Sequence, residues 1–125
     1  MGGNLSILYS LLGSPSAIDC HDKILFIEDL DEYLYHVDRM MMNLKRNGCL
    51  SSLKGIIVGG MTEMKDNEIP WGRNALEIIE DTVKGLNIPI IYNFPAGHIR
   101  DNRALIFGRQ ITMEVTPETS KVVFE

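Results

Sequence analysis

The stretch Lys23-Ile24-Leu25-Phe26-Ile27-Glu28-Asp29 constrains this chain more than any other. A short, nearly continuous apolar run has no wet face, which is the pattern of a strand buried on both sides in a parallel sheet. Such a strand needs one layer above it and another below, so an α/β architecture follows. The run ends abruptly in two carboxylates. In open α/β sheets ligands gather outside the carboxyl ends of the strands, so Glu28 is delivered to the rim where chemistry is done.

Two further runs read as buried strands, Gly55-Ile56-Ile57-Val58-Gly59-Gly60 and Ile88-Pro89-Ile90-Ile91-Tyr92. Between the first and second strands, Asp31 is placed to cap a helix over 32–47. Its apolar positions Tyr33, Val37, Met40, Met41 and Leu44 form one stripe, and Gly48 ends it. A second helix over 74–84 turns Leu76, Ile79 and Val83 inward. Strand–helix–strand–helix–strand predicts right-handed crossovers and a small parallel sheet. In the tail, Ile111, Met113 and Val115 alternate with Thr112, Glu114 and Thr116. A Pro-Glu-Thr-Ser turn and Lys121-Val122-Val123-Phe124 follow, which predicts an antiparallel hairpin with one wet face. A single domain over 1–125 accommodates all of this.

The formal charge of −5 and the lack of a Lys/Arg stripe argue against nucleic-acid binding. No apolar run approaches the roughly 20 residues that span a bilayer. Cys20 and Cys49 lack metal-ligand spacing. Two free thiols in a reducing compartment are the simpler reading beside a disulfide, and a cytoplasmic location is expected. The opening Gly2-Gly3-Asn4 reads as a flexible joint running into a short helix over 4–12, capped by Asn4. The chain is therefore expected to be a piece of a longer protein, with Met1 an added start. The helix is apolar on most faces (Leu5, Ile7, Leu8, Leu11, Leu12), so it is expected to pack against a missing piece or to drive a homodimer.

His98 follows the third strand through Phe94-Pro95-Ala96-Gly97, where Gly97 allows a tight turn. Carboxylate and imidazole at strand ends make two thirds of a nucleophilic triad. Taken singly, each has a plainer reading. Glu28 also suits the N-terminus of the following helix, and His98 also suits a solvated loop. His21 and His36 are weaker candidates. Asp101 and Asn102 read as turn caps, with orientation of His98 the alternative. Arg39 and Arg73 read as surface arginines, and Gly59-Gly60 lacks the Lys-Ser/Thr of a phosphate loop. No serine lies in a Gly-x-Ser-x-Gly elbow, so the chain lacks a credible nucleophile.

The ordered set Gly2-Gly3-Asn4-Leu5-Ser6, Gly13-Ser14-Pro15, Ile24-Leu25-Phe26-Ile27-Glu28-Asp29 with Glu32, Tyr33, Asp38 and Arg39, and Gly97-His98 with Asn102 resembles the C-terminal part of the LD-carboxypeptidases. These are serine peptidases that trim peptidoglycan peptides. The resemblance implies a three-layer β/β/α swivelling-type domain. It places Glu28 and His98 at the glutamate and histidine of a Ser-Glu-His triad, with the serine on an absent N-terminal domain. It implies a muropeptide substrate, a substrate-binding role for Gly3 and Asn4, no metal or organic cofactor, and an inactive isolated chain. Ser14 and Asp31 depart from the family's usual Thr and Gly. They leave open a relative acting on microcin-type peptidyl nucleotides, and a non-catalytic binding domain of the same fold remains the alternative from another class.

Overall fold

A computed structural model describes residues 1–125. Four short parallel strands form one sheet in the order β1 (Gly2–Asn4), β2 (Ile24–Leu30), β3 (Gly55–Thr62), β4 (Ile90–Ile91). Helices α1 (Leu5–Ser10), α2 (Leu34–Arg46) and α3 (Ala75–Val83) supply the connections. Strands β5 (Ile111–Val115) and β6 (Ser120–Phe124) pair as an antiparallel hairpin.

Side chains alternate across a strand, and here the alternation sorts the core into two layers. Leu25, Ile27, Ile56 and Val58 point into one large cluster with Leu5, Leu8 and the buried residues of α2 and α3. Phe26 and Ile57 point the other way, with Ala96, and Ile111, Met113 and Val122 of the hairpin pack on them. Helices on one face and a hairpin on the other give the expected β/β/α arrangement. It also explains why the first strand is apolar at consecutive positions.

Several local expectations change. The Gly2-Gly3 segment is strand β1, not a flexible joint: it pairs with Phe26 and Ile27 of β2. A Cβ at Gly2 would sit 2.0 Å from the Phe26 carbonyl oxygen, so glycine here permits close strand approach. Asn4 does cap α1, accepting from the Ile7 backbone N–H at 3.2 Å. That helix is shorter than 4–12 and buries Leu5 and Leu8. Ile7 remains 58% exposed, so the uncovered apolar face is smaller than the sequence implied.

Asp31 does not cap α2. It turns the chain at φ 63° and pairs with Lys65 at 2.7 Å, and the helix starts at Leu34 with Tyr33 as an uncapped N-cap. The later start leaves Tyr33 outside the helix and exposed, and Leu34 takes its place in the buried stripe with Val37, Met40, Met41 and Leu44. In α3, Asn74 and Glu77 form a reciprocal capping box that the sequence reading passed over.

The cysteines are not free thiols. The crossover through α2 carries Cys49 back beside Cys20, with Cα atoms 5.2 Å apart, and the two form a disulfide. A separation of 29 residues in sequence says nothing about this proximity, which only the packing of α2 creates. The free-thiol argument for a reducing compartment therefore falls. No helix is long and apolar enough to cross a membrane. Closing a loop of that length stabilises a fold by about 3–4 kcal/mol on the chain-entropy account. Dithiothreitol should accordingly lower the urea midpoint of the 125-residue chain substantially, and an unchanged midpoint would show that the bridge adds nothing.

Candidate active site

Glu28 lies on the hairpin face of β2, two residues beyond Phe26, and is only 5% exposed. Opposite it the β2–β3 register slips. Ile27 pairs with Val58 but Asp29 pairs with Met61, so Gly59 and Gly60 together face Glu28 as a β-bulge. A side chain on Gly59 would meet the Ala96 carbonyl oxygen at 2.4 Å and the Phe26 ring at 2.8 Å. The bare bulge instead lets the loop after β4 lie across the end of the sheet. Gly60 N–H donates to Ala96 O at 3.0 Å, and Phe94 N–H donates to Val58 O at 2.9 Å.

That loop brings His98 onto Glu28. Gly97 has φ 108°, and a Cβ there would lie 2.7–2.9 Å from Glu28 side-chain atoms. Only glycine fits both the backbone and the space. The His98 backbone N–H donates to Glu28 Oε2 at 3.1 Å, and His98 Nδ1 lies 2.7 Å from the same oxygen. An ionised carboxylate only accepts, so this contact fixes the hydrogen on Nδ1. Nε2 is left free on a ring that is about half exposed. Thr62 Oγ1 donates to His98 O at 2.9 Å, and Gly97 N–H donates to Asn102 Oδ1 at 3.1 Å. Asn102 therefore secures the turn, while Asp101 pairs with Arg103 instead.

The hydrogen bond that His98 donates to Glu28 raises the His98 pKa above its ordinary value of 6.5. The charge of Glu28 adds to this, burial opposes it, and Asp29 contributes a smaller push in the same direction. The arrangement is an oriented base: a buried carboxylate holds one ring nitrogen, and the other faces outward to take or give a proton.

The other candidates fall elsewhere. Asn4 is in register with Glu28, beside it on β1, but its side chain is engaged in holding α1 and Asp29. Gly3 has no atom within 4 Å of where a Cβ would stand. His21 pairs with Asp22, His36 with Glu32, and Arg73 with Asp81, while Arg39 stacks over Tyr35. No hydrogen bond joins a serine hydroxyl to His98. The bonded ones donate to Asn4 or to nearby backbone carbonyls. Sequence reasoning missed the Gly59-Gly60 bulge and the anchoring role of Thr62. The signal was present, since two glycines ending a buried strand mark a close backbone approach.

The fold and the dyad can now be set beside known proteins. The family model for the LD-carboxypeptidase C-terminal domain matches residues 1–113. A probable murein peptide carboxypeptidase of Bacillus subtilis is 34% identical over 122 residues, covering 98% of this chain and 38% of that protein. The crystal structure of a muramoyltetrapeptide carboxypeptidase from Oxalobacter formigenes superposes with a TM-score of 0.87 at 28% identity. It covers 98% of this chain and 43% of that one. The microcin C7 self-immunity protein of Escherichia coli is 27% identical over 117 residues, covering 91% of this chain and 33% of that protein. The chain thus spans about a third to two fifths of the length of these relatives. A family match over most of the chain, with a relative sharing a third of its residues almost end to end, establishes that it belongs to the LD-carboxypeptidase family, as the C-terminal domain.

Proposed function

We propose that this chain supplies the glutamate and histidine of a Ser-Glu-His triad in a carboxypeptidase that releases the terminal D-amino acid from murein tetrapeptides. The observation that carries the reading is the 2.7 Å contact between His98 Nδ1 and buried Glu28, with Nε2 left open. The serine comes from the part of the polypeptide that the longer relatives possess and this chain lacks.

In this mechanism Nε2 takes the proton of the serine hydroxyl as its oxygen attacks the carbonyl carbon of the L,D-amide. The tetrahedral intermediate collapses as the imidazolium gives that proton to the leaving amine, which departs as the free D-amino acid. Water then attacks the acyl-enzyme ester with His98 again as base, and the serine is restored. Glu28 remains ionised throughout; it holds the Nδ1–H tautomer and stabilises the imidazolium. The oxyanion donors belong to the serine-bearing domain. In this reading Gly3 and Asn4, on the strand beside Glu28, contribute to substrate binding. The relationship to the microcin self-immunity protein makes peptidyl nucleotides the second substrate class to assay.

The 125-residue chain alone should release no D-alanine from an L,D-tetrapeptide by mass spectrometry, because the nucleophile is missing. A hybrid joining it to the serine-bearing portion of the Bacillus subtilis relative should be active. In that hybrid His98→Ala and Glu28→Gln should each cost roughly 10³- to 10⁴-fold in kcat. Full activity in either variant of a working hybrid would remove the triad assignment.

Raising the His98 pKa also has two pH signatures. The imidazole must be neutral to accept the serine proton, so the acidic limb of kcat/KM should lie above pH 6.5 and move down in Glu28→Gln. In the chain alone the pair favours the protonated ring. Its contribution to stability is therefore complete below about pH 6.5 and is lost as pH rises through the higher folded value. Melting temperature should fall across that window in the native chain and less so in Glu28→Gln. Identical slopes for the two proteins would contradict the coupling.

A further inference from the structure

Asp29 is buried more deeply than Glu28, at 2% exposure, yet the mechanism above gives it no task. Its side chain leaves β2 on the helix face, opposite to Glu28. Three N–H groups donate to it. Oδ1 accepts from Asn4 Nδ2 at 2.8 Å and from the Leu30 backbone at 2.9 Å, and Oδ2 accepts from the Ser6 backbone at 2.9 Å. None of the chain's ion pairs includes it. A carboxylate this dry without a cation is costly to keep charged, and three neutral donors offset that cost.

The donors come from three elements. Asn4 ends β1 in register with Glu28, Ser6 lies in the first turn of α1, and Leu30 ends β2. One carboxylate thus ties the end of β1 and the start of α1 to the strand that bears Glu28. Asn4 is held from both sides, its Oδ1 accepting from Ser6 Oγ at 2.7 Å and from Ile7 N–H while its Nδ2 donates to Asp29. The second hydrogen on Nδ2 has no partner in the chain.

We infer that Asp29 is a positioning residue for the Glu28–His98 pair: it locks Asn4 and the start of α1 onto the strand that bears Glu28 and adds a second negative charge to the end of that strand. This rests on the triad reading for its catalytic consequence, though not for its electrostatic one. The clamp fixes Asn4 at its place on β1 in register with Glu28. The charge supports the imidazolium that forms when Nε2 takes a proton, in keeping with the push that Asp29 gives to His98 after the hydrogen bond and charge of Glu28. The titratable groups involved are Glu28 on the same strand and His98 on the loop above it. Asn4 and Ser6, which face Asp29 from β1 and α1, do not titrate.

Asp29→Asn keeps the shape but removes the charge and opposes one of the N–H donors with an NH₂ group. In an NMR titration of the 125-residue chain, His98 should titrate lower than in the native chain, by less than Glu28→Gln lowers it. In the hybrid enzyme the acidic limb of kcat should move down with it. The rate should fall roughly tenfold to a hundredfold, mostly in kcat, as expected for a displaced reacting group. A folded Asp29→Asn chain whose His98 titrates as in the native chain overturns the inference, whether or not the hybrid is active. Should the variant not fold, the native chain decides. The Ser6 backbone amide, bonded to Asp29, should shift with an inflection at the His98 midpoint, and a flat response overturns the inference.

Discussion

Strand β2 has no wet face, and this condition governs the rest of the domain. Helices must cover Leu25 and Ile27, and a second layer must cover Phe26, so three layers follow from four consecutive apolar residues. The same strand then carries two carboxylates to its end while still inside the protein, at 5% and 2% exposure. Neither can be left without donors. Alternation sends them to opposite faces, and each recruits a different neighbour. Glu28 draws the His98 loop down from the hairpin side, and Asp29 draws the start of α1 in from the helix side. The geometry of the site is thus a consequence of satisfying two buried charges on one strand.

Backbone approach is the second requirement, and three glycines meet it. Gly59 and Gly60 form the bulge that faces Glu28, and Gly97 lies directly against it. Where a side chain would stand, the structure has the Ala96 carbonyl oxygen and the Phe26 ring at Gly59, the Ile99 side chain at Gly60 and the carboxylate itself at Gly97. The His98 loop is then held by backbone hydrogen bonds at Phe94 and Gly60, by Thr62 and by Asn102. Nothing in this support relies on long, flexible side chains, so the imidazole is fixed before any substrate arrives.

The parts of the fold that were legible in the sequence are those set by local periodicity. The apolar run from Ile24 to Ile27, the Val37–Leu44 stripe of α2 and the alternation from Ile111 to Met113 lie where their patterns placed them, while Val115 at the end of β5 is exposed. The family motifs paired Glu28 with His98 across 70 positions, which periodicity alone could not do. What was not legible depends on contacts between distant segments. Gly2-Gly3 looks like a hinge until β2 is beside it, and Gly59-Gly60 looks like a loop until the Ala96 carbonyl fills the space. Cys20 and Cys49 look like free thiols until α2 folds back. Asp31 failed as a cap because Lys65, 34 positions away, offered a better partner for a residue already turned to positive φ.

The two members of the dyad are unequally protected, and this sets how the isolated chain relates to the proposed enzyme. The carboxylate is dry, but the imidazole ring is 54% exposed and water solvates its charged form. Water and Glu28 thus share the stabilisation of the imidazolium in the chain alone. A serine-bearing domain closing over Nε2 would expel that water and lower the local dielectric. Two effects then oppose each other: desolvation disfavours the charged ring, while the attraction between the ring and Glu28 grows. With the carboxylate already paired and only 2.7 Å away, such closure would transfer the task of holding the positive charge from solvent to Glu28. A titration of His98 in the isolated chain would on this account set a lower bound on the influence of Glu28 in the closed site.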